Sequence, residues 1–248
     1  IAGEKAGIIK SGVPVVSGAI GVAADVVTAR AAALASPLEV LDRDFTLEPT
    51  ASGVLAYRSR AGTITPLTLG LVGAHQRRNA ALAVRALELV PAFTPSPAAI
   101  AAGLIDVRWP GRLQVVCREP LVLLDGAHNA AGIEVLVAEV RTLAVGRRVR
   151  VLFGVMRDKG WQSMLRALGE VATEIVLTRP RQPRSVPPEG LVGAVSGPVR
   201  VHEDPADAYR QLLATSAPDD VVVVAGSLFL VGDLLPIIDP TLTVAAER

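Results

Sequence analysis

The chain has 248 residues, half of them hydrophobic, with 25 lysines and arginines set against 24 acidic residues. A net charge of +1 and 3% aromatic content supply neither the basic footprint nor the stacking platforms that polynucleotide binding needs, so nucleic acid is not expected as a partner. A single cysteine, Cys117, excludes an internal disulfide framework, and no apolar run approaches the roughly 20 residues that span a bilayer; a soluble, monomeric, cytoplasmic protein of two domains is expected.

The first ten residues, IAGEKAGIIK, lack an initiating Met and read as a helix closing at Gly7 or Gly12, so further sequence is expected upstream. Residues 13–17 read as a short buried strand, and 23–34, rich in Ala and Val, as a helix closed by Ser36-Pro37. Over 38–71 the apolar period falls to two, which predicts a small antiparallel sheet turning at 60–62. Gly73-Ala74-His75-Gln76 opens a long helix that Pro91 stops, and a second helix covers 97–104. The Pro and Gly of Trp109-Pro110-Gly111-Arg112 mark a domain boundary or hinge.

From residue 113 strands and helices alternate. Strands are predicted at 113–117, 121–124, 149–153, 174–177, 199–202 and 221–225, and helices at 131–143, 161–171, 188–195 and 205–215, with a Pro-rich loop at 179–188. That alternation predicts a mainly parallel, Rossmann-like α/β domain over 113–248, with 1–112 the remainder of another domain. No G-x-G-x-x-G follows any strand, which argues against a dinucleotide oxidoreductase, and no G-x-x-x-x-G-K-[ST] loop is present.

The most informative stretch is LVLLDGAHN at 121–129. Four aliphatic residues end in Asp125, two small residues, His128 and Asn129, and a helix follows, which is where an open α/β sheet binds ligands. The plainer reading makes Asn129 a helix cap and Asp125 a satisfied turn residue.

Together, IAGEKAGIIKSGVPVVSG, GAHQRRNAALAV, WPGR, LLDGAHN, FGVMRDKG and VVVVAGSLFLVG closely resemble the C-terminal part of the folylpolyglutamate synthase and dihydrofolate synthase family, within the Mur-type amide ligases. The likeness runs from Ile1 to the neighbourhood of Leu235. It implies the latter part of a Mur-type central ATPase domain (1–112), then a Rossmann-like ligase domain (113–248), with the P-loop and much of the metal site upstream. The implied chemistry is ATP-dependent: a folate or dihydropteroate carboxylate is activated as an acyl phosphate, and the amine of L-glutamate attacks it to form an amide.

The same resemblance assigns roles. Lys5 sits where the family's lysine is carbamylated and helps hold a second Mg2+ ion; a carbamate offers that hard cation an anionic oxygen. Asn79, Arg112 and Asp125 match contacts to ATP, and a guanidinium fork suits phosphate. His128 matches a histidine near the incoming glutamate, able to orient a carboxylate or to manage protons, and Ser227 matches a serine associated with glutamate binding. The bland readings are a solvated Lys5, a capping cluster at His75, Gln76 and Asn79, a hinge ion pair for Arg112 and a turn serine at 227. Two departures stand out: Gly160 replaces a second acidic residue in MRDKG, and Ala130 follows DGAHN where many members have Pro. The chain alone is expected to be inactive. Another Mur-type amino-acid ligase, or a non-catalytic nucleotide- or glutamate-binding fragment, are the competing readings.

Overall fold

The computed structural model describes residues 2–91, 93 and 95–239. Residues 240–248, which the sequence reading includes in the second domain, lie outside them. Two compact units form, Ile1–Arg108 and Trp109–Arg248, so Trp109, Pro110, Gly111 and Arg112 fall in the second unit.

In the first unit, α1 (Ala2–Ala6), β1 (Val15–Ser17), α2 (Val22–Ala33) and β2 (Leu38–Val40) precede β3 (Phe45–Pro49), β4 (Leu55–Ser59) and β5 (Gly62–Leu67), and α3 (Ala74–Glu88) and α4 (Pro97–Asp106) follow. β3, β4 and β5 form an antiparallel sheet. The sequence reading extends that antiparallel region to residue 38, but β2 instead pairs in parallel with β1, Val15 opposite Leu38. Three residues carry too little periodicity to declare a partner. The core joins Phe45, Leu47, Tyr57 and Leu67 from the strands to Ala81 and Val84 of α3. Arg85 of α3 is buried as well; Glu39 and Glu88 both pair with it, and the Tyr57 hydroxyl donates to Glu88 at 2.7 Å. A lone buried guanidinium would be costly, and two carboxylates make it tolerable.

The second unit contains β6 (Gln114–Arg118), β7 (Leu121–Leu124), α5 (Ala130–Leu143), β8 (Val149–Phe153), α6 (Trp161–Gly169), β9 (Glu174–Thr178), a 3₁₀ helix (Pro188–Ala194), β10 (Val199–His202), α7 (Pro205–Ala214), β11 (Val221–Ala225) and α8 (Leu228–Ile238). The strands lie in the order β10-β9-β8-β11-β7-β6, parallel except for β6, which runs antiparallel to β7. The mainly parallel α/β architecture expected from the alternation is thus present. Each central strand points successive residues to opposite faces. Val149, Val151 and Phe153 of β8 meet α5 and α6, while Leu152 meets α7 and α8. Burial on both faces explains why these strands read as unbroken apolar runs.

Two elements depart from expectation. The segment after Pro187 winds as a 3₁₀ helix, and α8 was not anticipated. LFLVGDLLPII is apolar almost throughout, so it shows no helical stripe, and Gly232 and Pro236 argue against a helix. No helix among the described residues is long and apolar enough to cross a membrane.

Candidate active site

The chain leaves β7 through α5 on one face of the sheet and leaves β11, its neighbour, through α8 on the other. Where adjacent strands send their helices to opposite faces, a crevice opens at their carboxyl ends, and ligands bind there in open α/β sheets. Asp125, Gly126, Ala127 and His128 follow β7, and Gly226 and Ser227 follow β11. The two turns are tied together, because the Gly226 amide donates to the Ala127 carbonyl at 2.9 Å.

Glycine is required at the β11 turn and closely packed at the β7 turn. Gly226 has φ 110°, and a β-carbon there would lie 2.6 Å from the Gly154 carbonyl oxygen, a region that L-residues rarely enter. A β-carbon on Gly126 would lie 2.2 Å from a methyl of Leu228.

Asp125 uses both carboxylate oxygens on backbone: one accepts from the Leu113 amide at 2.8 Å, the other from the Ala127 amide at 2.7 Å. The Gly126 amide donates to the Gly111 carbonyl at 2.7 Å, so the turn carrying Arg112 is stitched to the end of β7. Arg112 itself is exposed, and its guanidinium makes no hydrogen bond or ion pair among the described residues. Arg112 and Asp125 therefore meet at one edge of the unit through the backbone of Gly111 and Leu113.

His128 is partly buried, with Nδ1 2.8 Å from the Gly126 carbonyl oxygen. A carbonyl only accepts, so Nδ1 carries the proton in this contact, and in the neutral tautomer that this selects Nε2 is the acceptor. Asn129 caps α5, its side-chain oxygen accepting from the Gly132 amide at 2.8 Å; the plainer sequence reading describes this residue correctly. Ser227 is buried and caps α8 by accepting from the Phe229 amide at 3.0 Å, which leaves its hydroxyl hydrogen to donate.

In the first unit, Asn79 lies one turn into α3 and donates to the Gln76 side-chain oxygen at 3.1 Å; the Gln76 amide in turn meets His75 Nε2 at 2.9 Å. Gln76 and Asn79 edge a cleft of about 210 Å³ whose other walls are apolar, Leu69, Leu71 and Leu104 among them. Lys5 is exposed on α1. Among the described residues no three His, Cys, Asp or Glu side chains gather into a group that could hold a metal ion.

Sequence reasoning overlooked Gln114, whose side-chain oxygen accepts from the Gly111 amide at 3.0 Å, and the close packing at Gly126 and Gly226. Glycine within two residues of the end of an apolar strand was the available signal for the latter two.

Residues 111–228, the stretch that carries these turns, match the family described as Mur ligase, glutamate ligase domain, and that stretch is a domain of this family. The chain is similar to the dihydrofolate synthase/folylpolyglutamate synthase of Bacillus subtilis, 32% identical over 243 residues covering 94% of this chain and 56% of the relative. In structure it is similar to Escherichia coli FolC in complex with DHPP and ADP, with a TM-score of 0.87 and 28% identity over 97% of this chain and 56% of that one. It is also similar to the bifunctional synthase of Yersinia pestis complexed with AMPPNP and Mn ion, with a TM-score of 0.84 and 28% identity over 96% of this chain and 56% of that one. The chain thus spans a little over half the length of these relatives.

Proposed function

We propose that this chain is the carboxyl-terminal portion of an ATP-dependent ligase joining a folate or dihydropteroate carboxylate to the amine of L-glutamate through an acyl phosphate. The observation that carries the reading is the pair of turns after β7 and β11, which bring together a carboxylate, an imidazole, a hydroxyl and two helix N-termini. Its resemblance to relatives named for this reaction supplies the substrate class. Activation is chemically necessary, because a carboxylate at neutral pH is a poor electrophile.

Roles follow from the atoms available. Arg112, exposed and without a side-chain partner among the described residues, would receive phosphate oxygens on its fork of N–H donors. Asn79 and the apolar cleft beside it suit a flat heterocycle with polar edges, such as the adenine of ATP. With Nδ1 committed to the Gly126 carbonyl, neutral His128 can only accept at Nε2; it suits the ammonium of glutamate, or the proton released as that amine attacks, better than a carboxylate. Ser227 can donate its hydroxyl hydrogen to a glutamate carboxylate. Catalysis would rest on positioning and on stabilising charge as it develops. Divalent metal ions would offset phosphate charge, with a carbamylated Lys5 as one ligand. No G-x-x-x-x-G-K-[ST] loop occurs in this sequence, and the chain alone is expected to be inactive.

The reading is tested in the full-length protein by ATP-dependent attachment of labelled glutamate to folate and dihydropteroate acceptors. Arg112→Ala and His128→Ala should each reduce ligation about a hundredfold or more. Near-normal turnover in both variants would point instead to a non-catalytic binding module. Activity on a cell-wall precursor with none on a pterin would identify another Mur-type ligase.

A further inference from the structure

We propose that Asp125 is a positioning residue whose carboxylate holds the 109–113 turn in the shape that presents Arg112. The proposal rests on reading Arg112 as a nucleotide contact. Asp125 bonds two backbone amides from separate segments, Leu113 ahead of β6 and Ala127 beyond β7. Leu113 needs such help. It is buried with φ 43°, a left-handed conformation that a branched residue does not adopt without compensation.

The rest of the turn is fixed in the same way. The Gly111 carbonyl accepts from the Gly126 amide, the Gly111 amide donates to Gln114, and the Arg112 amide reaches the Trp109 carbonyl at 3.3 Å. A β-carbon on Gly111 would lie 2.9 Å from a Val231 methyl, so the turn also lies hard against α8. Both neighbours of Arg112 are therefore anchored to the end of β7, whereas its side chain is bound to nothing among the described residues. Such an arrangement commits its hydrogen bonds to aiming one guanidinium, and Asp125 bonds both the residue after Arg112 and the β7 turn.

Asp125→Asn keeps the size but sets an NH2 group against one of the two amide donors, so one bond must break. In the full-length protein, Asp125→Asn should speed hydrogen exchange of the Leu113 amide and raise the ATP KM about tenfold, leaving the glutamate KM within about twofold. Arg112→Ala should raise the ATP KM by about tenfold to a hundredfold. The double variant should be no worse than Arg112→Ala, because Asp125 has then lost the group it aims. Should Asp125→Asn fold poorly, Gln114→Ala loosens the same turn from its surface and should again add nothing to Arg112→Ala.

Multiplying effects on the ATP KM would overturn the proposal, since Asp125 would then act on nucleotide independently. Unchanged Leu113 exchange in Asp125→Asn would overturn it too. An ATP KM moved by neither Arg112→Ala nor Asp125→Asn is a different pattern: it removes the nucleotide reading of Arg112, and the proposal falls with it.

Discussion

Replacing Gly226 by Ala puts the largest local strain into the crevice with the smallest chemical change. The residue sits at φ 110°, and the new methyl would lie 2.6 Å from the Gly154 carbonyl oxygen and 2.7 Å from a ring carbon of Phe153. Neither can retreat: Gly154 directly follows β8, and Phe153 is fully buried in the core. Backbone strain of about 1–3 kcal/mol and overpacking of about 1–3 kcal/mol combine to a loss of about 2–6 kcal/mol. At about 3 °C per kcal/mol for a domain of this size, the melting temperature should fall by roughly 6–18 °C. Gly126→Ala is the informative contrast. Its methyl would collide with Leu228, which is 53% exposed and can swing into solvent, so the loss should be about 1 kcal/mol and should vanish in Gly126→Ala/Leu228→Ala. Urea unfolding followed by circular dichroism measures all three variants. A loss below 1 kcal/mol for Gly226→Ala, or no rescue by Leu228→Ala, would refute the packing argument.

Three further outcomes are expected. Arg150, buried in β8, bonds Glu174, Thr215, Ser216 and the Leu212 carbonyl; Arg150→Met should destabilise the second unit by about 3–5 kcal/mol in chemical unfolding, whereas Arg141→Ala, which breaks an exposed pair with Glu170, should change it by less than about 1 kcal/mol. Burial opposes ionisation of Glu174, but the hydrogen bonds from Arg200 and Arg150, with their charges, outweigh it and hold the carboxyl below its ordinary value. Because its folded pKa is depressed, the stability it contributes is present above the unfolded value and lost as pH falls through the folded one; unfolding measured from pH 6 to pH 2 should flatten in Glu174→Gln across that acid window. Mass spectrometry and crystallography of the full-length protein should show carbon dioxide added to Lys5, and a bare amine in a nucleotide- and metal-loaded crystal would remove its proposed role.

Much of the second unit was legible because its strands are buried on both faces, and a run such as VVVVA admits few other readings. Asn129 was equally plain, since an amide before a helical stretch satisfies an orphan N–H. The pairing of β1 with β2 was hidden because three residues cannot specify a neighbour that lies beyond α2. α8 was missed for the opposite reason: a segment apolar on all sides carries no period. Asp125 was visible as chemistry, but its bond to Leu113 depends on the β6–β7 hairpin closing, a tertiary event that local pattern does not encode.

The departure of α5 and α8 to opposite sides of the sheet leaves residues 127–130 and 228–229, next to the buried glycines of the two turns, exposed or only partly buried. Selection, or a mutagenesis library, confined to residues 127–130 and 228–229 could therefore retune what the mouth of the domain accepts without redesigning its interior. On the proposed assignment of these turns to the incoming amino acid, a handful of codons there would change its side-chain preference on a scaffold that stays the same.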